Sequence, residues 1–400
     1  MQLVEQHVIK NNHKFYKELD RLCFLSKNLY NVANYYIRQE FTTNENYLNY
    51  SVMDKLLNVE NIDYKQLPSK VAQQTLKLLD KNWKSFFQAT RNYKKNSSRF
   101  LSRPKLPKYK DKIKGRNPVI YTTQAISKKE LNKGVIKLSK TNIYFKTKVP
   151  VDSINQVRVI PKPNKVIVIE VVYTVQEKEI LKNNNILGID LGVNNLATCV
   201  NTVNTDKFII NGKPLKSMNQ FFNKERATLM SYVGNKGNSN RIQRLTNKRN
   251  NKVKNYLHKA SKYIINYCLT NDISTVVVGH NKEWKQKVNT GTRNNQNFVS
   301  IPFTTLINQL KYKGQLQGIT VLETEESYTS KCSFIMSERL EHHENYLGKR
   351  IKRGLYKCNG VCYNADVNGA LNIIRKVIPT FSITDYGIQG VVVHPIKVTL

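Results

Sequence analysis

Apolar residues recur at helical spacing over two stretches near the start of the chain. From Phe15 to Ile37 the positions Leu19, Leu22, Leu29, Ala33 and Ile37 fall three, four and seven apart, and from Val71 to Phe87 the series Leu76, Leu79, Trp83, Phe86 does the same. A 3.6-residue period brings such positions onto one face, so both stretches predict amphipathic helices. Pro68-Ser69 predicts a capped start for the second, and the polar run Asn92 to Ser98 predicts its end. The helical region then covers about residues 13–95. Between Val119 and Val175 the period drops to two. The runs VIYTT, VIKLSK, IYFKTKV, VRVIP and VIVIEVVYTV are β-branched and separated by Lys, Asn, Gly and Pro, which predicts a small antiparallel barrel or sheet over about 119–176. Its alternating Lys137, Lys140, Lys146 and Lys148 would make one face basic.

After a polar spacer, Glu177 to Asn185, strands and helices alternate. Strands are predicted at Ile186–Asp190, Leu196–Asn201, Lys207–Asn211, Ser274–Val278 and Ile319–Thr324, with helices near Asn223–Leu269, Thr304–Gln317 and Asp366–Val377. That alternation predicts an α/β domain. The chain as a whole reads as multidomain α+β, with one part over 1–180 and a second over 181–400.

Charge changes the picture from architecture to partners. The 400 residues carry 65 Lys+Arg against 28 Asp+Glu, a formal net charge of +37. Such a surplus costs self-repulsion in the compact state, and a polyanionic partner relieves it. Nucleic acid is the expected partner. A membrane is not, because the basic residues run the full length and no stretch of about 18 apolar residues occurs. The opening residues lack the apolar core of a signal peptide, and the six cysteines are sparse and uneven, so a cytoplasmic, nucleoid-associated bacterial location is expected.

Two basic segments stand out. From Arg91 to Arg116 eleven Lys/Arg face one Asp, with Tyr93, Phe100 and Tyr109 interleaved. The segment reads equally as a solvated linker or as a strand tracking a nucleic-acid backbone, in which case Arg103, Lys105 and Lys108 are contact candidates. The predicted long helix carries Arg241, Arg244, Lys248, Arg249 and Lys252 opposite an apolar stripe of Ile242, Leu245, Val253, Leu257 and Ile264. The stripe is core; the basic side is either solvated or lies along an RNA–DNA heteroduplex. His258 is read as a packed helix histidine and Trp284 as a loop anchor.

Two carboxylates suggest chemistry. Ile186-Leu-Gly-Ile-Asp190-Leu-Gly-Val193 ends an apolar strand on Asp190, and Asn364-Ala-Asp366-Val-Asn368-Gly-Ala places Asp366 at a helix start. Either alone could be only a cap. Delivered together from a first strand and a last helix, they could converge on divalent cations, as two-metal phosphodiester hydrolysis requires, normally with a third carboxylate.

The segments Gly188-Ile-Asp190-Leu-Gly, Tyr328-Thr-Ser-Lys-Cys332 and Asn364-Ala-Asp366-Val-Asn368-Gly-Ala together resemble the RuvC and zinc-ribbon motifs of the TnpB family. These are the OrfB-type proteins of bacterial insertion sequences, related to type V CRISPR effectors. The resemblance covers essentially the whole chain. It implies a helical recognition region and wedge-like β-barrel, then a RuvC domain of ribonuclease H fold with a zinc ribbon inserted over about 328–363. It further implies an RNA-guided DNA endonuclease that uses two Mg²⁺, a guide RNA from the transposon end and target double-stranded DNA beside a short flanking motif. The protein would be a monomer within the ribonucleoprotein.

Two departures from the family pattern matter. The strand Thr275–Val278 should end in a catalytic Glu but continues Val278-Gly-His-Asn-Lys-Glu283-Trp284. The next strand offers Glu323, Glu325 and Glu326, of which the last two should face opposite ways. Glu325 is favoured over Glu326 as the third Mg²⁺ ligand beside Asp190 and Asp366. In the ribbon, two Cys-x-x-Cys pairs are reduced to Cys332 and Cys358-Asn-Gly-Val-Cys362, a poor tetrahedral set that His342 or His343 could complete. Loss of zinc with retention of the loop is expected, leaving Arg350, Lys352 and Arg353 to act electrostatically. The alternative function is a nuclease-inactive RNA-guided DNA-binding repressor; an RNA-independent resolvase would leave the basic N-terminal half unexplained.

Overall fold

The chain opens on a strand that the sequence pattern did not announce. In the computed structural model, which describes residues 1–234, 237–281 and 300–400, β1 (Gln2–Lys10) lies antiparallel to β6 (Val166–Thr174) along its whole length. Its side chains alternate between exposed and half-buried with no fully apolar face, which is why periodicity missed it. With β2 (Val119–Thr122) and β5 (Ile154–Lys162) it forms an antiparallel sheet in the order β1-β6-β5-β2. The short β3 (Val135–Lys137) and β4 (Tyr144–Lys146) pair only with each other. The predicted barrel is therefore an open four-stranded sheet beside a separate ribbon. The basic residues Lys137, Lys140, Lys146 and Lys148 are all exposed on and around that ribbon.

Five helices complete this unit, which spans Met1–Val175. They are α1 (Tyr16–Asn44), α2 (Tyr50–Glu60), α3 (Ile62–Gln66), α4 (Ser69–Lys95) and the short α5 (Lys128–Leu131). Ser69 is the first helical residue of α4, not its cap; Pro68 holds the cap position and contributes no side-chain bond. The unpredicted α2 and α3 start on Asn49 and Asn61, whose carboxamide oxygens accept from backbone N–H groups of the first turn. Trp83 is fully buried between α1 and α4 against Phe41, Tyr47 and Phe87, and its indole N–H donates to Asn34 Oδ1 at 3.0 Å.

The second unit, Gln176–Leu400, is built on a six-stranded mixed sheet. β7 (Ile186–Leu191), β8 (Asn195–Asn201) and β9 (Lys207–Asn211) form an antiparallel meander. β10 (Thr275–Gly279) and then β11 (Thr320–Thr324) add in parallel on the free side of β7. β15 (Ile396–Val398) adds in parallel to β9. The single helix predicted over 223–269 is two, α6 (Lys213–Ser231) and α7 (Asn240–Thr270). Gly234 and Gly237, both at positive φ, lie between them, where helix propagation fails.

Alternation in β7 divides its side chains between two cores. Leu187, Ile189 and Leu191 pack with α7 and with α8 (Phe303–Gln315). Ile186 packs with α9 (Ala365–Arg375) and with a three-stranded ribbon of β12 (Gly348–Lys352), β13 (Leu355–Cys358) and β14 (Val361–Asn364). By the same period of two, Asp190 stands on the α9 side of the sheet.

Candidate active site

Asp190, Glu326 and Asp366 line one cavity of about 490 Å³, together with the backbone of 191–194, Asn195, Thr198 and Thr329. Lys213, Arg350 and Arg353 stand at its walls. Three separate elements deliver the acids. Asp190 is the penultimate residue of β7. A Cβ added at Gly369, on the second turn of α9, would come within 2.9 Å of Asp190 Oδ2, so only a glycine lets the helix lie this close to the carboxylate. Asp366 stands in the first turn of α9, whose start is capped by Asn364 Oδ1 accepting from the N–H groups of Asp366 and Val367. Its Oδ2 accepts from Asn195 Nδ2 at 2.7 Å and its Oδ1 from Arg350 at 3.0 Å.

The glutamate that lines the cavity is Glu326, not Glu325. A Cβ added at Gly279, where β10 ends, would meet Ile373 Cδ1 at 2.5 Å and lie 3.2 Å from Glu326 Oε2. The end of β10 is thus packed against Ile373, with the Glu326 carboxylate close beside it. Its N–H donates to Asn281 Oδ1 at 3.1 Å, and its carbonyl accepts from Thr329 Oγ1 at 2.8 Å. Glu325 faces the other way, largely exposed and 3.4 Å from the Lys376 ammonium. The two glutamates face opposite ways as alternation predicts, but it is Glu326, two residues beyond the end of β11 at Thr324, that turns into the cavity, and Glu325, the one favoured from the sequence, that turns out. Glu323 is taken up by Lys311 and His280 on the surface. Glu283 and Trp284 lie outside the described residues.

Crowding of like charge marks this cavity. Burial, then the neighbouring Asp366 and Glu326 carboxylates, push the Asp190 carboxyl well above the usual carboxylate range, with Arg350 offsetting part of the rise. Burial first and Glu325 second raise Glu326 to about 7. Oxygen ligands that repel one another are suited to a hard divalent cation, which would remove the repulsion. With Asp366 turned to Asn195 and Arg350, however, no three His, Cys, Asp or Glu side chains among the described residues stand at ligating separation. Sequence reading missed Asn195, Asn281 and Thr329 because isolated polar residues in loops and strand ends carry no periodic signal.

The ribbon cysteines do not form a comparable set. The Asn359-Gly360 turn, with both residues at positive φ, pairs Cys358 with Val361 and Lys357 with Cys362. Cys358 is therefore buried and Cys362 exposed on the opposite face. A two-residue gap would have put both thiols on one side. Cys332 is buried and donates to Arg339 O at 3.1 Å, and His343 lies 2.9 Å from the same carbonyl. The residues present do not fit a tetrahedral zinc site.

Of the basic candidates, Arg241, Arg244, Lys248 and Lys252 are exposed along α7, and Lys352 and Arg353 on the ribbon. Arg249 is not available as a contact. Its guanidinium donates to Asn219 Oδ1 and Ser300 O, both at 2.7 Å, and lies against the Phe222 ring, so it ties α6 to α7. Arg103, Lys105 and Lys108 are exposed on a segment that is neither helix nor strand but is firmly held. Residues 27, 31, 34 and 38 form one edge of α1, and their side chains grip the segment's backbone. Lys27 donates to Lys112 O, Asn34 and Arg38 to Pro107 O, and Asn31 both donates to Lys110 O and accepts from Lys110 N–H. The stretch is a strap with its cationic side chains turned outward. Asn31→Ala combined with Asn34→Ala removes three of these bonds and should raise trypsin cleavage after Lys105, Lys108 and Lys110 on the order of a hundredfold, since each lost bond is worth about 1 kcal/mol of local opening. Unchanged cleavage would mean the grip is not what holds the strap.

Comparison with known proteins adds family and fold. The OrfB_IS605 family, described as a probable transposase, matches residues 170–285, and the Cas12f1-like TNB domain matches residues 303–373. No curated protein matches. A cryo-EM structure of a Cas12f1–sgRNA–target DNA complex is similar at 18% identity, covering 90% of this chain and 82% of that one, with a TM-score of 0.53. The mini-RNA-guided endonuclease CRISPR-Cas_phi3 is similar at 10% identity over 94% of this chain and 92% of that one, with a TM-score of 0.45. Among the described residues no helix is long and apolar enough to cross a membrane. The OrfB_IS605 match falls on the strands that include Asp190 and the Cas12f1-like TNB match on the ribbon and the start of α9 with Asp366, so over both segments the chain is similar to TnpB-type proteins, and its fold is similar to that of Cas12f1.

Proposed function

We propose that this protein is a transposon-associated RNA-guided DNA endonuclease, with residues 181–400 cutting and residues 1–180 holding guide RNA and the DNA flanking motif. The observation that carries the reading is the convergence of Asp190, Glu326 and Asp366 on one cavity walled by Lys213, Arg350 and Arg353. Two bound Mg²⁺ would supply an activated water and charge against the leaving oxygen. The three carboxylates would hold those ions. Asn195 orients Asp366 through its 2.7 Å bond, and Asn281 and Thr329 fix the backbone of Glu326 from either side. The cationic wall draws a phosphodiester to acids that would otherwise repel it. Guide RNA and target double-stranded DNA are the partners that a surplus of +37 would serve. A similar solved protein, Cas12f1, is described in complex with an sgRNA and target DNA.

The nuclease-inactive repressor drew its support from the absent Glu on β10. Against it stands Glu326, which lines the cavity with Asp190 and Asp366 and approaches the end of β10 at Gly279. The deciding experiment is Mg²⁺-dependent cleavage of a target plasmid by the protein coexpressed with its transposon-end RNA. Linear product that disappears in chelator and without the matching guide is expected. Tight guided binding with no cleavage at any Mg²⁺ concentration would leave the repressor.

A further inference from the structure

The ribbon needs something to hold it, and four thiolates on a metal are not available. We infer that the buried carboxylate of Glu338 is the ribbon's cross-link, doing without metal what a tetrahedral zinc does in a complete knuckle.

The residues around it support this. Glu338 is 6% exposed in a protein where most carboxylates are at the surface. One oxygen, Oε2, accepts from the Ser333 N–H at 2.7 Å, immediately after Cys332; the other, Oε1, accepts from the Leu347 N–H at 2.9 Å, immediately before β12. The single side chain therefore joins the start of the insert to the hairpin that bears Arg350. From the backbone side, Arg375 of α9 donates to Glu338 O at 3.0 Å. Where a metal would sit, Ser333 Oγ donates to Cys358 Sγ at 3.0 Å, and Phe334, Tyr356 and Tyr363 fill the space beneath as part of one apolar core. Two asparagines of α9, Asn368 and Asn372, donate to the carbonyls of Cys332 and Thr329, which fastens the same turn to the helix carrying Asp366. Glu338 is thus a positioning residue: it touches none of the three cavity acids, but it fixes the segment between Glu326 and Arg350. The cross-link stands whether or not the chain is a nuclease, so its test reads stability and exchange before activity.

Wild-type full-length protein is analysed for metal and melted before and after a zinc-selective chelator that spares Mg²⁺. Zinc well below one per chain and a Tm unchanged by the chelator are expected. In parallel, Glu338→Gln, which turns an amide N–H₂ toward a backbone donor, should lower Tm by roughly 5–10 °C and speed amide exchange at residues 333–347. Cys362→Ser, at an exposed thiol, should do neither. Stoichiometric zinc whose removal lowers Tm would overturn the inference. So would a Glu338→Gln protein that melts and exchanges like wild type. If both stability arms hold while neither wild type nor variant cleaves a guided target, the nuclease reading fails and the cross-link survives.

Discussion

Alanine at Glu326 is expected to cut guided cleavage by roughly 10³-fold or more, while alanine at Glu325 leaves it within about threefold of wild type. The two residues are neighbours with the same side chain, so composition and local charge are matched and only placement differs. Glu326 shares a cavity with Asp190 and Asp366, whereas Glu325 pairs with Lys376 at the surface. Asp190→Ala should match the loss at Glu326. Electrophoretic binding of the guide RNA should stay unchanged in all three variants, because none of these acids has a favourable contact to offer a phosphate backbone. Equal loss at Glu325 and Glu326, or activity surviving Glu326→Ala, would remove Glu326 from the site. Loss of guide binding along with cleavage would end the separation of roles.

Metal-free protein should become less stable as pH rises through neutrality, the reverse of what a paired carboxylate gives. The folded-state carboxyl of Glu326 is raised from 4.5 to about 7, and that of Asp190 is raised as well. An acid whose folded pKa lies above its unfolded value stabilises the fold fully below the unfolded value. That contribution is lost as pH climbs through the folded one. The window for Glu326 thus runs from about 4.5 to about 7 and slightly beyond. Solvent reaching the cavity reduces the cost to on the order of 1–2 kcal/mol, or about 3–6 °C. In chelator, wild-type Tm should fall by that amount between pH 5.5 and 8.5 relative to Glu326→Gln, which removes the titration but keeps the shape. Adding Mg²⁺ at pH 8.5 should restore the wild type and not the variant. Parallel melting curves for the two proteins would show that the crowding of acids has no energetic consequence.

Much of this was legible in the sequence, and the failures have physical causes. Five strands of the sheet were readable within a residue at each end, because runs of Val, Ile and Leu, buried in all but β11, are bounded by Asn, Gly, Asp or Ser. Asp190 and Asp366 were nameable since each ends or starts an apolar run. The helix over 223–269 was too long because a period carries no information about a two-glycine interruption until backbone angles are seen. α2 was missed because its outward face shows Val52, Leu56 and Val59 as freely as its inner face shows Met53 and Leu57. The choice between Glu325 and Glu326 was not legible because alternation says that neighbours face opposite ways but not which of them faces the cavity. The fate of Cys362 was in the sequence all along: with a two-residue Asn359-Gly360 turn, the thiol stands one strand position past the residue opposite Cys358 and so on the other face.

The hydrogen bonds from α1 to the strap of residues 103–112 run to its main-chain oxygens and one N–H, while Leu106, Tyr109 and Lys110 supply its side-chain contacts. Every peptide unit offers those same main-chain atoms, so this part of the anchorage is blind to what the strap displays at Arg103, Lys105 and Lys108. Mutation can rewrite Arg103, Lys105 and Lys108 one at a time, changing what the outer surface prefers to touch, while the attachment beneath stays as it was. Fold and surface preference are in this way separately inherited, and a lineage moving among hosts could retune the second without risking the first.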